Sequence, residues 1–530
     1  MNRATGVDMA FKKQAWLVLF AITMQAVILL SAPPLLRAET KPPYIRFLGA
    51  AQTVGGSSYL VDTGQLRILV DCGHTFEKAQ NGKNEHPPFD PARLDYVLLT
   101  HAHADHAGSV PLLFKKGFRG RVIGTDATRA LAGNMLEQGL EIAEEKGKAF
   151  FGMEDIIQMM SHFDTVRYNQ TLSLSPEASV CFRDAGHILG SAMIELVIRD
   201  KNGPIKLVFG GDMGNPAIPW MREPAVIRSG DYILVESTYG PVRRSDREEW
   251  RKFGAALGRT IHAGGSVLIP AFTLDRTQKI IHTLGRLKKE GVIPLETPVY
   301  VDSPGARTIT KIYRKYKRRL HPDVLNAYTK GQAFLTFPGL RETEGKESLL
   351  AHGEARPAVY VSASGMLDHA NSPRHLEKMI DDPRNLLAIV GWQAPETLGA
   401  KMQRGAKRVA IPLLEIDEEG NRKVRYVEKS VRMQVKSFGA FSYHADGCQI
   451  MTWLSHFPKV KEVFVVHGEP ENAAALARFI RENLGFAASA PGLHETVPLT
   501  SLGRGHAIKD KPAPCRGLGG TKALKSGTEE

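Results

Sequence analysis

A chain of 530 residues is too long for a single compact core, and its 43% hydrophobic and 24% charged content is that of a folded protein in water, not a disordered or fibrous one. The formal charge of +13, part of it concentrated at the two ends, suits an anionic partner without proving one. The four cysteines, Cys72, Cys181, Cys448 and Cys515, include no C-x-x-C pair, so neither a disulfide framework nor a cysteine-held metal is indicated, and any bound cation falls to His and Asp.

Lys12 and Lys13 precede an apolar run from Ala15 to Leu30; Ser31-Ala32-Pro33-Pro34 follow, then Leu36-Arg37-Ala38, with a small residue before Glu39. That order predicts a secretory signal over 1–38, with an uncleaved membrane anchor as the rival reading. The chain would then be exported, periplasmic or anchored, and cytoplasmic otherwise. From Tyr44 the text turns to short strands: Ser57–Val61 and Leu66–Val70 around Asp62-Thr63-Gly64, then Tyr96–Leu99. Ala127–Lys148 reads as a helix, and Val180–Phe182, Met193–Ile198, Ile205–Phe209 and Asp231–Val235 as strands. From Trp250 helix and strand alternate, which predicts a parallel α/β unit: Trp250–His262, Ser266–Ile269, Thr277–Gly291, Val299–Val301. After Val431 strand and loop return, with a strand at Glu462–Val466 and a helix at Ala473–Leu484. The Gly-, Lys- and Pro-rich residues from 503 onward predict a disordered tail.

The chemistry concentrates in Thr100-His101-Ala102-His103-Ala104-Asp105-His106, where three imidazoles and a carboxylate leave one apolar strand. Neutral imidazole and carboxylate are the ligands that suit Zn²⁺ when no thiolate is at hand. His187, Asp212 and His467 each follow or border an apolar strand and stand beside glycine, where backbone can approach a metal closely.

With these motifs in view, the chain resembles the metallo-β-lactamase superfamily and, within it, the β-CASP branch of nucleic-acid-processing nucleases. Besides the His-rich motif, the resemblance rests on Ala185–Ala192, Glu236-Ser237-Thr238-Tyr239-Gly240, Val301-Asp302-Ser303-Pro304, Ser364-Gly365-Met366-Leu367, Phe441–Asp446 and Val466-His467-Gly468-Glu469, and spans about Tyr44 to Leu499. It implies an α/β fold: a metallo-β-lactamase αββα sandwich in two parts, 43–240 and 432–502, with an α/β β-CASP domain inserted at 241–431 and a basic tail at 503–530. It implies two Zn²⁺, with Mn²⁺ as the alternative. His101, His103 and His187 would bind one cation, Asp105, His106 and His467 the other, and Asp212 would bridge them. Asp105, Asp212, Glu236 and His444 would form the catalytic set, with His444 held by Glu236 and giving a proton to the leaving 3′-oxygen. Arg276, Ser303 and Ser364 match positions near the substrate path.

The implied activity is hydrolysis of RNA phosphodiester bonds to leave 5′-phosphate ends, on single-stranded RNA or alternatively DNA, in an enzyme whose relatives often dimerise. The helix Lys311–Arg319, with Tyr313 and Tyr316 among its basic residues, suits backbone contacts and base stacking. The chain departs from the family pattern where Pro241-Val242-Arg243-Arg244 follow Tyr239-Gly240, where Asp275 replaces a glycine, and where Asp368-His369-Ala370 replace paired glycines. Two readings compete: an exported hydrolase of the same fold acting on small esters, lactones or phosphodiesters, and a non-catalytic nucleic-acid-binding scaffold.

Overall fold

The computed structural model describes residues 42–75, 84–145, 147–216, 220–328, 331–343, 357–416, 422–503, 505–508 and 519–520. The segment read as a signal lies outside the described residues, and so does most of the tail. Residues 43–530 form one compact unit.

Two seven-stranded sheets make its first layer pair. One runs in the order Thr496–Pro498, Tyr44–Gly49, Ser58–Asp62, Arg67–Val70, Tyr96–Leu98, Arg121–Thr125, Phe163–Val166. The other runs Ala488–Ser489, Glu462–Val466, Tyr232–Glu236, Gly203–Phe209, Ala192–Asp200, Ala178–Asp184, Thr171–Ser175. Their inner faces share one core, in which Phe47, Val61 and Leu98 of the first meet Phe182, Leu196, Phe209 and Phe464 of the second. Helices cover the outer faces: Val110–Lys115, Asp126–Glu145 and Met153–Ser161 on one side, Gly447–Leu454 and Pro470–Leu484 on the other. This is the expected αββα sandwich.

The third sheet has six strands, Leu340–Thr343, Val299–Asp302, Val359–Ser362, Val267–Pro270, Leu386–Ile389 and Gln434–Ser437, all parallel. Its central strands are four-residue apolar runs buried along their length, as strands covered by helices on both faces must be. Its last strand lies a few residues past 431, the expected end of the insertion. Gln434–Ser437 pairs with Leu386–Ile389, and its polar, half-exposed residues carry no core-strand pattern because it lies at the sheet's edge.

A few residues of the tail are described. His506–Ala507 pairs with Lys459–Val460, and Gly519–Gly520 with Val242–Arg243, while Ile508 packs on the core beneath the second sheet. Cys72 and Cys181 are free, whereas Cys448 is disulfide-bonded. Isolated cysteines far apart in sequence give no spacing signal for such a bond. Among the described residues no helix is long and apolar enough to cross a membrane.

Candidate metal centre

The polar residues gather because strand ends gather. Gly203–Phe209, Tyr232–Glu236 and Glu462–Val466 run parallel and in register, Phe209 beside Leu234 and Glu236 beside Val466. Asp212, Glu236 and His467 therefore emerge side by side at their carboxyl ends. Tyr96–Leu98 ends in the facing sheet and continues through Thr100 into His101, with His103 capping the one-turn helix Ala104–Ala107 that carries Asp105 and His106. His187 follows Ala178–Asp184. Its loop is closed against residues 213–214, where Gly214 N donates to Ala185 O at 2.8 Å. A Cβ on Gly214 would run into the Gly186 carbonyl, so only glycine permits that approach.

Three overlapping donor groups result, the third joining Asp212 and His467 to Glu236 and His444. In the first, His103 Nδ1 lies 3.1 Å from His101 Nε2 and 3.2 Å from His187 Nε2, and Asp212 Oδ2 lies 3.4 Å from each of those two Nε2 atoms. In the second, Asp212 Oδ1 lies 3.1 Å from His106 Nε2 and 3.6 Å from His467 Nε2, and His467 Nε2 lies 3.3 Å from Asp105 Oδ2. A tetrahedral cation with ligand bonds near 2.0–2.1 Å holds its donors about 3.3 Å apart, so these first two groups have the span of a coordination shell. Asp212 Oδ1 and His187 Nδ1 are buried without a well-formed hydrogen bond, and a buried carboxylate oxygen surrounded by ring nitrogens fits a site that takes a cation.

The protonation states agree. Burial holds His101, His103 and His187 below the usual histidine range, His103 down to about 3, so these imidazoles present lone pairs. Burial also works against charge on His106 and His467, yet Asp212 and the other carboxylates push both upward, His467 to about 9. A metal arriving there must displace protons.

One residue of the centre escaped the sequence reading. Asp71, fully buried and at φ 59°, follows the strand Arg67–Val70. Its Oδ2 lies 2.8 Å from His106 Nδ1 and accepts from Thr100 Oγ1 at 2.7 Å, and its Oδ1 accepts from Thr100 N at 2.8 Å. Thr100 Oγ1 in turn lies 3.0 Å from His101 Nδ1. Asp71 thereby turns the Nε2 atoms of two histidines inward, the usual work of a carboxylate behind a ligating imidazole. The available signal was an aspartate placed between apolar Val70 and Cys72, where an unpartnered charge would be costly.

Beside the cluster, His444 Nδ1 lies 2.7 Å from Glu236 Oε2. Glu236 is buried, and its other oxygen accepts from Met213 N at 2.8 Å. Burial opposes charge on His444, but Glu236 and Asp212 raise its pKa. The His444 side chain keeps 20% exposure, so it can be reached from solvent.

The positions matched to the substrate path have internal partners. Arg276 Nη1 donates to Val390 O, Ser303 caps the helix Pro304–Lys315 by accepting from Ala306 N at 3.2 Å, and Ser364 Oγ donates to Asp368 Oδ1 at 2.7 Å. None of the three joins these donor groups. Asp275 stands at φ 64°, a conformation that favours glycine, and accepts there from Tyr313 Oη at 2.6 Å and Trp220 Nε1 at 3.0 Å. Tyr313 is therefore buried and cannot stack on a base, contrary to expectation. It shares the inward face of its helix with Ile309.

Three family models match the chain: the metallo-beta-lactamase superfamily over residues 51–171, the Beta-Casp domain over 277–402, and the Zn-dependent metallo-hydrolase RNA specificity domain over 428–491. The chain is 35% identical over 435 residues to Ribonuclease TTHA0252 of Thermus thermophilus, covering 82% of this chain and 94% of that protein. It is 30% identical over 486 residues to Transcription termination factor FttA of Pyrococcus abyssi, covering 87% and 72%. A crystal structure of a protein of unknown function from Enterococcus faecalis V583 shares the fold at a TM-score of 0.52 and 11% identity, over 86% of this chain and 100% of that one.

Proposed function

The chain belongs to the β-CASP branch of the metallo-β-lactamase superfamily, and on that premise we propose that it is a metal-dependent ribonuclease that cuts single-stranded RNA at this centre and leaves 5′-phosphate ends. The observation that carries the reading is Asp212, with one oxygen against His101 and His187 and the other against His106 and His467, and the Glu236–His444 couple beside it. In this reading His101, His103 and His187 hold one cation, Asp105, His106 and His467 the second, and Asp212 both. Zn²⁺ suits such a set of imidazoles and carboxylates, with Mn²⁺ as the alternative. When bound, the two cations would lower the pKa of a shared water towards neutrality and polarise the phosphoryl oxygens.

The remaining work falls to the chain. Glu236 takes His444 Nδ1, which leaves Nε2 as the atom that can give a proton to the leaving 3′-oxygen. The same carboxylate favours the protonated ring before transfer. Asp71 and Thr100 keep His106 and His101 facing the centre while substrate enters. RNA is favoured over DNA by the match to an RNA specificity domain and by the ribonuclease among the relatives. We take the insertion to run from 241 to the end of Gln434–Ser437, between the sandwich parts 43–240 and 438–502.

The test is cleavage of single-stranded RNA by the purified chain before and after chelation. Cleavage that stops on chelation and returns with Zn²⁺ or Mn²⁺ is expected. A metal-loaded chain that leaves RNA intact but hydrolyses lactones or small esters would overturn the reading.

A further inference from the structure

The inserted sheet has an open end. In parallel sheets ligands lie beyond the carboxyl ends of the strands, and here two large aromatic residues stand in solvent at those ends. Phe272, two residues past the strand Val267–Pro270, is 37% exposed, and Trp392, three past Leu386–Ile389, is 64% exposed. The two strands are neighbours. Two glycines leave room beside the Phe272 ring: a Cβ on Gly365 would come within 3.2 Å of it and one on Gly391 within 3.1 Å. Gln393 Nε2 donates to Gly365 O at 2.9 Å and Gly391 O at 3.1 Å, tying these loops together. Neither ring meets another aromatic ring among the described residues.

These ends point towards the centre. The segment that follows Phe272 carries Lys279, whose Nζ lies over the ring of Tyr443, the neighbour of His444. The site of a Gly391 Cβ is also 3.7 Å from Arg276 Nη1. Tyr239 and Arg244 are close enough to influence the Arg276 charge, and the Tyr239 ring lies 6.4 Å from that of His444.

We propose that Trp392 and Phe272 form a stacking platform for unpaired nucleobases of a strand whose backbone passes His444. The proposal rests on the phosphodiester-cleaving reading above. Exposed indole and phenyl rings accept any base face, because every base has a π-surface, and such contacts hold a single strand without selecting its sequence. The platform replaces Tyr313, whose ring the fold has buried, as the aromatic contact for substrate.

The experiment uses the metal-loaded full chain and its Trp392→Ala, Phe272→Ala and Trp392→Phe variants. Steady-state kinetics are measured on a short single-stranded RNA and on the same strand with alternate abasic spacers, with Tm as a control for folding. On RNA, Trp392→Ala is expected to raise KM about ten-fold, with the loss in KM rather than kcat, and Trp392→Phe to restore most of it. On the abasic strand the penalty is expected to vanish. If the wild type cuts RNA but neither alanine variant changes KM, or if the penalty is as large on the abasic strand, the platform is overturned and the ribonuclease reading stands. If the metal-loaded wild type cuts no RNA, the ribonuclease reading fails and the platform fails with it.

Discussion

Glu236 Oε2 and His444 Nδ1 lie 2.7 Å apart although 208 residues separate them, so the insertion folds between the two halves of one acid–base couple. Thr238 Oγ1 also donates to Glu236 Oε2 at 2.6 Å, and Met213 N holds the other oxygen, which fixes the carboxylate against the ring. His444→Ala should lower kcat by about 10²–10⁴-fold while leaving metal content unchanged. Glu236→Gln should cost less, since it removes the charge and keeps an acceptor. Single-turnover cleavage with parallel elemental analysis checks both, and a His444→Ala variant that lost its metal would move the residue from proton donor to ligand.

Asp71 acts through His106. Asp71→Ala should weaken binding of one cation about 10–100-fold, the usual cost of removing a carboxylate behind a ligating histidine. It would also leave the buried Thr100 hydroxyl and amide unpaired, at about 1–3 kcal/mol of stability. Competition with a chromophoric chelator measures the first effect, and urea unfolding of the apo chain the second. An unchanged affinity would confine Asp71 to a purely structural role.

The Asp275 carboxylate and the Lys279 ammonium lie 2.8 Å apart and almost fully buried, with Lys279 Nζ over the Tyr443 ring. Lys279→Met should destabilise by about 3–5 kcal/mol, because it strands a buried charge, and Asp275→Asn in the same chain should recover much of the loss. Denaturant midpoints of the two single variants and the double variant decide it. Additive losses would show that the two residues act independently.

Asp184 gives the fold a pH signature. Burial pushes its carboxyl up to about 6, against the pull of Gly186 N, Arg222 and Arg319. A folded pKa above the unfolded value near 3.9 means that the fold prefers the neutral acid. Asp184 therefore costs nothing below about pH 4, and a penalty builds as pH rises through about 6, reaching roughly 3 kcal/mol once the carboxyl is ionised. Asp184→Asn keeps an acceptor for Gly186 N, 3.0 Å away, and should be more stable than the wild type at pH 8 but not at pH 4. Equal stability of the two proteins at pH 8 would refute the assignment.

Much of the centre was legible because it is local. His101, His103, Asp105 and His106 fall within six positions after an apolar strand, and the glycines beside His187, Asp212 and His467 mark where the backbone must turn sharply. Asp71 was not legible, since a lone aspartate at a strand end reads like any turn residue until the fold buries it under His106. The strand Gln434–Ser437 carries no strand pattern in the sequence because it is an edge strand with polar residues. Tyr313 and Trp392 show the same difficulty from opposite sides. An aromatic side chain in sequence does not declare whether it will be buried at 0% exposure or left at 64%.

The decisive measurement uses matched single-stranded RNA and DNA, labelled at either end and incubated with the Zn²⁺- or Mn²⁺-loaded chain and its Asp212→Ala variant. The wild type is expected to cut RNA into products with 5′-phosphate ends, and the variant to cut neither strand. RNA left intact by a metal-loaded wild type, or cut equally well by Asp212→Ala, would contradict the ribonuclease reading.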